Sequence, residues 1–258
     1  MSRTVRIALG TRTAWALEDA GVYVLLGDAP WSGGVPDGER VDAADPDVRL
    51  LAPVAPSKVV GIGSNYRDHA AEMGRPVPTQ PKIFLKAPSA IVGPGAFIEL
   101  PPGTTQVDHE AELGVVIGRR ATRVKADEAL AHVYGYTVVN DVTARDFQRA
   151  DGVFARAKGF DTFCPVGPAV VRGLDPGSLA VRAEVDGVRR QDGNTRDMVF
   201  SVAELVHYVS HVMTLEPGDL IATGTPAGVG PLAAGMRVTV SVEGIGALSN
   251  PVRDRDDR

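Results

Sequence analysis

The chain has a single cysteine, Cys164, so no internal disulfide can staple it. One thiol in 258 residues fits a reducing, intracellular setting and excludes a disulfide-framework domain. No apolar run is long enough to cross a bilayer, and the start, Met-Ser-Arg-Thr-Val-Arg, has no apolar signal-type segment. Membrane partners are therefore not expected, and a soluble cytoplasmic protein is. Basic stripes are also missing. With 27 Lys and Arg against 32 Asp and Glu the formal charge is −5, which argues against a nucleic-acid partner. There is no internal repeat and no low-complexity block, so solenoids and linker proteins are excluded.

What is present is ample material for one core: 44% hydrophobic residues, with 29 Gly and 19 Pro. So many turn formers favour short elements joined by tight turns, hence a β-rich α+β fold over a helical bundle. Residues 1–55 are expected to form a small N-terminal β domain with strands at Val5–Leu9 and Val22–Leu26 and a loop from Trp31 to Asp47. The proline-rich Leu51–Ser57 is a linker. Residues 56–252 make the main domain, and 253–258 a charged, disordered tail.

The main domain is organised around Val107 to Gln148. Asp108-His109-Glu110-Ala111-Glu112 leads into the β-branched run Val115-Val116-Ile117, which predicts a strand. Residues two apart on a strand share a face, so Glu110 and Glu112 project together. A second strand, Tyr134–Val139, delivers Asp141 to its end, and Thr143 with Asp146 is spaced as a helix-capping pair. Three carboxylates from two strands make an oxygen-only donor set suited to Mg²⁺, Mn²⁺ or Ca²⁺. The alternative is solvated acids on the open face of a sheet.

Other candidates are scattered. A short helix over Arg67–Met73 puts His69 and Glu72 on one face, as a base with its orienting carboxylate or as an exposed ion pair. The loop Arg75–Pro81 behind it reads as a lid hinge. Lys86 ends the strand Lys82–Lys86 and faces either an anion or solvent. Ala126–Val133 reads as a helix. Arg145 and Gln148 share a helix face; Lys158 precedes a glycine and can approach a ligand. Asp186-Gly187 signals a hairpin. Ser201 and Glu204 form a capping box ahead of the stripe Val202, Leu205, Val206, Val209, Val212 and Met213. His207 and His211 on that helix lack a third ligand at zinc spacing, and Cys164 lacks a base beside it. The loop Thr223–Gly230 departs from the phosphate-loop and dinucleotide patterns, but its amides and Thr225 could hold a carboxylate.

Seven stretches in order, GIGSNYRDHAAEMG, PKIFLKAPSAIVGPG, DHEAELGVVIGR, GYTVVNDVTARDFQ, AKGFDTFCPVGP, PGDLIATGTPAGVG and VEGIGALSNPV, resemble the fumarylacetoacetate hydrolase family. The first 50 residues are similar to the variable N-terminal domain of its shorter bacterial-type members. The resemblance implies a β-sandwich roll, usually in a homodimer, with Glu110, Glu112 and Asp141 holding Mg²⁺ or Mn²⁺. It implies that His69 and Glu72 activate water on a mobile lid. Arg145, Gln148, Lys158 and Thr225 match pocket-lining positions, Lys158 being counted with the catalytic groups and Lys86 with the substrate contacts. Longer animal members carry a further aspartate ligand; Asp68 is nearest but its spacing differs, and no such role passes to it. The implied substrates are small 2-oxo acids. Hydrolysis of an acylpyruvate leads, with 2-hydroxyhepta-2,4-diene-1,7-dioate isomerisation or 2-oxo acid (oxaloacetate) decarboxylation as alternatives. A non-catalytic metal-stabilised binding protein is a further one, against which the intact His69 and Glu72 count.

Overall fold

The protein was analysed as a computed structural model that describes residues 1–256. Its backbone is mostly strand, in the β-rich α+β class. Twelve strands form the largest sheet. Its main path runs Pro36–Asp42, Val22–Leu26, Arg12–Asp19, Ser2–Leu9, Cys164–Arg172, Val133–Asn140, Ala111–Ile117, Leu220–Ala222, Val59–Gly63 and Lys82–Lys86. The N-terminal strands are thus continuous with the sheet that carries the acids, because Ser2–Leu9 pairs antiparallel with Cys164–Arg172. A five-stranded sheet, Val188–Asn194, Ala180–Val185, Arg237–Val242, Gly246–Asp254 and Ile98–Leu100, packs across it. A three-stranded sheet of Thr143–Ala144, Val107–His109 and Gly230–Leu232 completes the roll.

The core lies between the two larger sheets. Leu113, Val115 and Val138 from one side and Val181, Ala183 and Val240 from the other are buried in one cluster. These are alternate positions on strands whose intervening residues face elsewhere, as a period of two requires. Four α-helices serve the sheets: α1 (Arg67–Glu72), α2 (Arg145–Asp151), α3 (Ala155–Gly159) and α4 (Val202–Val212). In α4 the capping box is complete, with Ser201 Oγ accepting from Glu204 N and the Glu204 carboxylate accepting from Ser201 N. Leu205, Val206 and Val209 bury its apolar stripe in the same core. The Asp186-Gly187 hairpin forms with both residues at positive φ, the geometry of a tight primed turn.

The structure departs from the sequence expectations at identifiable places. Pro36–Asp42 is a strand and not a loop; nearly all its side chains are exposed, and as an edge strand it has no apolar face to betray it. Arg12–Asp19, between the two expected N-terminal strands, is a strand as well. Ala126–Val133 shrinks to the single 3-10 turn Ala129–His132, too short a segment for a helix to propagate. Thr143 does not cap α2. Its hydroxyl donates to Asp141 O at 2.9 Å, while Asp146 accepts from Thr104 Oγ1 at 2.6 Å and Thr105 N at 2.8 Å. Arg253 and Asp254 belong to the last strand, paired with Glu99 and Leu100, so the charged tail starts later than expected. Its residues 257 and 258 lie outside the described residues. No described helix is long and apolar enough to span a membrane.

Truncating the stripe of α4 tests this packing. Leu205→Ala removes a fully buried side chain and is expected to destabilise folding by about 3 kcal/mol, read as a lower urea midpoint. His211→Ala, on the exposed face, is expected to change it by under about 0.5 kcal/mol.

Candidate active site

The strand Ala111–Ile117 and its neighbour Val133–Asn140 pair with Ala111 opposite Asn140 and Glu112 opposite Val139. Glu110 sits in the break between Val107–His109 and Ala111–Ile117. Two bonds tie it to the end of the neighbouring strand: Glu110 N donates to Asn140 Oδ1 at 3.0 Å, and Asp141 N donates to Glu110 O at 2.9 Å. Glu110 and Asp141 therefore meet through the backbone, not only through the strand's two-residue period. Glu112 joins them, and one carboxylate oxygen from each of the three lies within 4.8 Å of the others. All three residues are buried.

Buried like charges at such a separation repel by roughly 3–4 kcal/mol per pair at an effective dielectric near 20, so the cluster needs cations. Lys158 Nζ, fully enclosed, donates to Glu110 Oε2 at 2.9 Å, Asp141 Oδ2 at 2.5 Å and Thr143 Oγ1 at 2.8 Å. Lys86 Nζ lies 2.6 Å from Asp141 Oδ1, and Arg145 Nη2 lies 2.6 Å from Glu110 Oε1. Neither is an aligned hydrogen bond; both are charge contacts. Arg145 also donates through Nε to Asp108 Oδ2 at 2.7 Å.

The two glutamates titrate apart. Burial pushes Glu110 upward, but Lys158 and Arg145 outweigh it and hold the carboxyl below the usual range. Glu112 has no such contact. Burial first, then the charges of Asp141 and Glu110, push its carboxyl well above that range, although Gly224 N donates to it at 2.9 Å. Lys158 is held above its ordinary value; burial opposes this, and Asp141 and Glu110 overcome it.

Across the pocket stands α1. His69 Nδ1 is 3.0 Å from Glu72 Oε2, one turn apart on the helix. The helix is clasped to the Thr223–Gly230 loop by its own acids, with Gly228 N donating to Glu72 Oε1 at 2.9 Å and Ala227 N to Asp68 Oδ2 at 3.3 Å. Asn65 anchors its entry by donating to Phe200 O and Thr223 O. Gly224 must be glycine, since its φ is +96° and a Cβ there would meet Asn65 Cβ at 2.7 Å. The space left in the pocket is about 30 Å³, room for about two waters and not for an organic acid.

His69, Glu110, Glu112, Arg145, Gln148, Lys158 and Thr225 all line this pocket. Lys86 does not; it stands behind Asp141 as a buried counter-charge, which corrects its placement as a substrate contact. Nor do the loop amides cradle a ligand carboxylate, since three of them are engaged by Glu112, Asp68 and Glu72. Thr225 Oγ1 donates to Ala111 O and accepts from Gln191 Nε2. Gln148 accepts from Arg145 Nη1 at 3.1 Å.

Three supports escaped the sequence reading. Asp108 holds Arg145. Thr143 accepts from Lys158. Gln191, on a hairpin some eighty residues from Ala111, accepts from Ala111 N and lies 3.1 Å from His109 Nδ1. Asp108 and His109 flank the two glutamates in sequence and could have been suspected; nothing local marks Gln191. The remaining candidates stay outside: Cys164 is buried and its thiol is pushed up to about 12, by burial above all. His207 and His211 stack on α4 and bond backbone carbonyls.

Residues 58–253 match the fumarylacetoacetate hydrolase C-terminal domain. The chain belongs to the fumarylacetoacetate hydrolase family. Residues 2–53 match the Rv2993c-like N-terminal domain. Protein Rv2993c of Mycobacterium tuberculosis is 52% identical over 209 residues, 80% of this chain and 79% of that one. The solved structure of 2-hydroxyhepta-2,4-diene-1,7-dioate isomerase from Mycobacterium marinum is 44% identical, covers 100% of both chains and has a TM-score of 0.91. Maleylpyruvate hydrolase of Sphingobium sp. SYK-6, solved with manganese(II) and pyruvate, is 29% identical over 98% of this chain and 100% of its own, with a TM-score of 0.80.

The donor set fits a hard divalent cation: three buried carboxylates, no sulfur or imidazole, and a lysine ammonium meeting two of them. Because Glu112 keeps its proton to higher pH, binding Mn²⁺ is expected to release protons, and affinity is expected to rise with pH up to the folded value of that carboxyl. Calorimetry in two buffers of different ionisation enthalpy measures the protons released. None released below neutral pH would contradict the shift.

Proposed function

We propose that this protein is a divalent-metal-dependent hydrolase that cleaves a C–C bond in acylpyruvate-type 2-oxo acids. The observation that carries the reading is one small pocket lined both by His69, which is hydrogen-bonded to Glu72, and by Glu110 and Glu112 of a buried cluster of three carboxylates. Glu110, Glu112 and Asp141 would hold Mg²⁺ or Mn²⁺. When bound, the ion supplies Lewis acidity toward the adjacent oxygens of a 2-oxo acid.

The chain's own groups do the rest. With Nδ1–H of His69 donating to Glu72, Nε2 is left as the acceptor and removes a proton from water in the pocket. The hydroxide oxygen bonds to the acyl carbonyl carbon. Lys158, giving up one of its three present acceptors, and the amide of Gln148 donate to the oxyanion that forms, an effect often worth about 3 kcal/mol per donor. Collapse breaks the C–C bond, giving a carboxylic acid and the enolate of pyruvate, which recovers a proton from His69. Arg145, oriented by Asp108, holds the carboxylate end. Withdrawal of α1 admits substrate and its return excludes bulk water.

Isomerisation of a 2-hydroxydienoate is the second reading, favoured by the close relative from Mycobacterium marinum. That reaction needs proton transfer by His69 but no water addition, so the same pocket serves it.

Purified protein with Mg²⁺ and acetylpyruvate is expected to lose the substrate's enol absorbance with release of pyruvate. His69→Ala is expected to lower kcat by about 10²–10⁴-fold. An absorbance shift without pyruvate would select the isomerase, and inactivity on enol acids of both kinds would refute a catalytic role for the pair.

A further inference from the structure

Two cavities meet at one pair of aromatic rings. The pocket lined by Glu110, Glu112 and His69 is also lined by Phe84 and Phe154. The same two residues line a neighbouring surface groove of about 480 Å³, together with Lys82, Ile83, Leu85 and Val153. Apolar side chains stand open to water there: Val153 is 60% exposed and Leu85 49%. A contiguous exposed patch of this kind marks a surface that something covers. Lys82 is the one charged residue at the groove, and its ammonium lies 5.6 Å from the Phe154 ring centroid. Neither the carboxylate cluster nor the His69–Glu72 pair uses this groove.

The rings are placed by the backbone around them. The edge strand Lys82–Lys86 pairs with Val59–Gly63 so that Gly61 stands opposite Phe84. A Cβ at Gly61 would come within 2.1 Å of the Phe84 ring, so the glycine is what lets that ring pack on the strand. The Lys158 ammonium, which bridges Glu110 and Asp141, is 4.9 Å from the Phe84 centroid. Phe84 and Phe154 meet edge to face with centroids 5.3 Å apart. Phe154 ends the short stretch between α2 and α3, and its carbonyl accepts from Lys158 N at 3.0 Å. Contacts thus run outward from the acids through Lys158, Phe84 and Phe154 to the groove.

We propose that this groove is a subsite for the acyl tail, making the enzyme selective for acylpyruvates with an extended apolar acyl chain over the acetyl compound. The inference rests on the acylpyruvate reading and deepens it. The 30 Å³ beside the acids leaves no room for such a chain, whereas the groove past the two rings is large enough for one. Each methylene that leaves water for Phe154, Val153 and Leu85 contributes through the hydrophobic effect. It changes nothing at the bond that breaks, so the groove selects the acyl group and leaves the chemical step alone.

Calorimetry on Mn²⁺-loaded protein with 2-oxobutanoate, 2-oxohexanoate and 2-oxooctanoate tests it. Affinity is expected to rise about two- to threefold per added methylene. Val153→Asp is expected to flatten the series and Val153→Leu to keep it. Both changes fall on an exposed side chain, and thermal midpoints check that each variant is folded. Equal affinities along the wild-type series, no binding of any member, or a rise undiminished by Val153→Asp overturn the proposal. A flat wild-type series with Val153→Asp converting a dimer to a monomer in sedimentation also overturns it, and makes the groove a contact between copies of the chain. The test stands apart from the hydrolase assay. A chain inactive on acetylpyruvate whose affinity still climbs with tail length loses the hydrolytic reading and keeps the subsite; turnover of acetylpyruvate with a flat series does the opposite.

Discussion

Charge confinement is the constraint on which this structure depends. Three carboxylates are brought together out of solvent where their mutual repulsion is several kcal/mol, and the fold answers with Lys158, Lys86 and Arg145 packed around them. The answer is uneven. Glu110 and Asp141 each receive two cations, while Glu112 receives an amide and two repelling neighbours. Glu112 therefore keeps its proton to higher pH than Glu110 does.

The rest of the roll keeps that corner in place. Asn140 and the Asp141 amide lock Glu110 at a strand break. Gly224 supports Glu112 from the glycine-rich loop, and Gln191 ties that loop to Ala111 through Thr225. The same loop offers its next amides to Asp68 and Glu72. One loop thus contacts both the acidic cluster and the helix carrying the base, which ties the placement of that helix to the geometry of the site. Backbone N–H groups of the kind that bind anionic ligands instead hold the protein's own anions.

Much of this was legible in the sequence, for reasons particular to each element. Glu110 and Glu112 were visible because a two-residue period on a strand has few alternatives, and His69 with Glu72 because a three-residue spacing on a helix does the same. Helix α4 was plain from its capping box and stripe. The edge strand Pro36–Asp42 was not, since an exposed edge needs no apolar face. Lys86 was ambiguous because one lysine at a strand end looks the same whether solvated or buried against Asp141; only tertiary packing decides. Gln191 was invisible, since its partners lie between 34 and 82 residues away in sequence and come near only after two sheets pack. Thr143 and Asp146 misled because a capping spacing says nothing of competing partners, and Lys158 and Thr104 outbid the helix end.

The account turns on whether a divalent ion settles between Glu110, Glu112 and Asp141. Diffraction from crystals grown with Mn²⁺, collected at the manganese edge, measures this directly. One anomalous peak within about 2.3 Å of an oxygen from each of the three residues, with the Lys158 ammonium moved off Glu110 or Asp141, is the expected result. A cluster without a peak, its lysine contacts intact at saturating Mn²⁺, would contradict it.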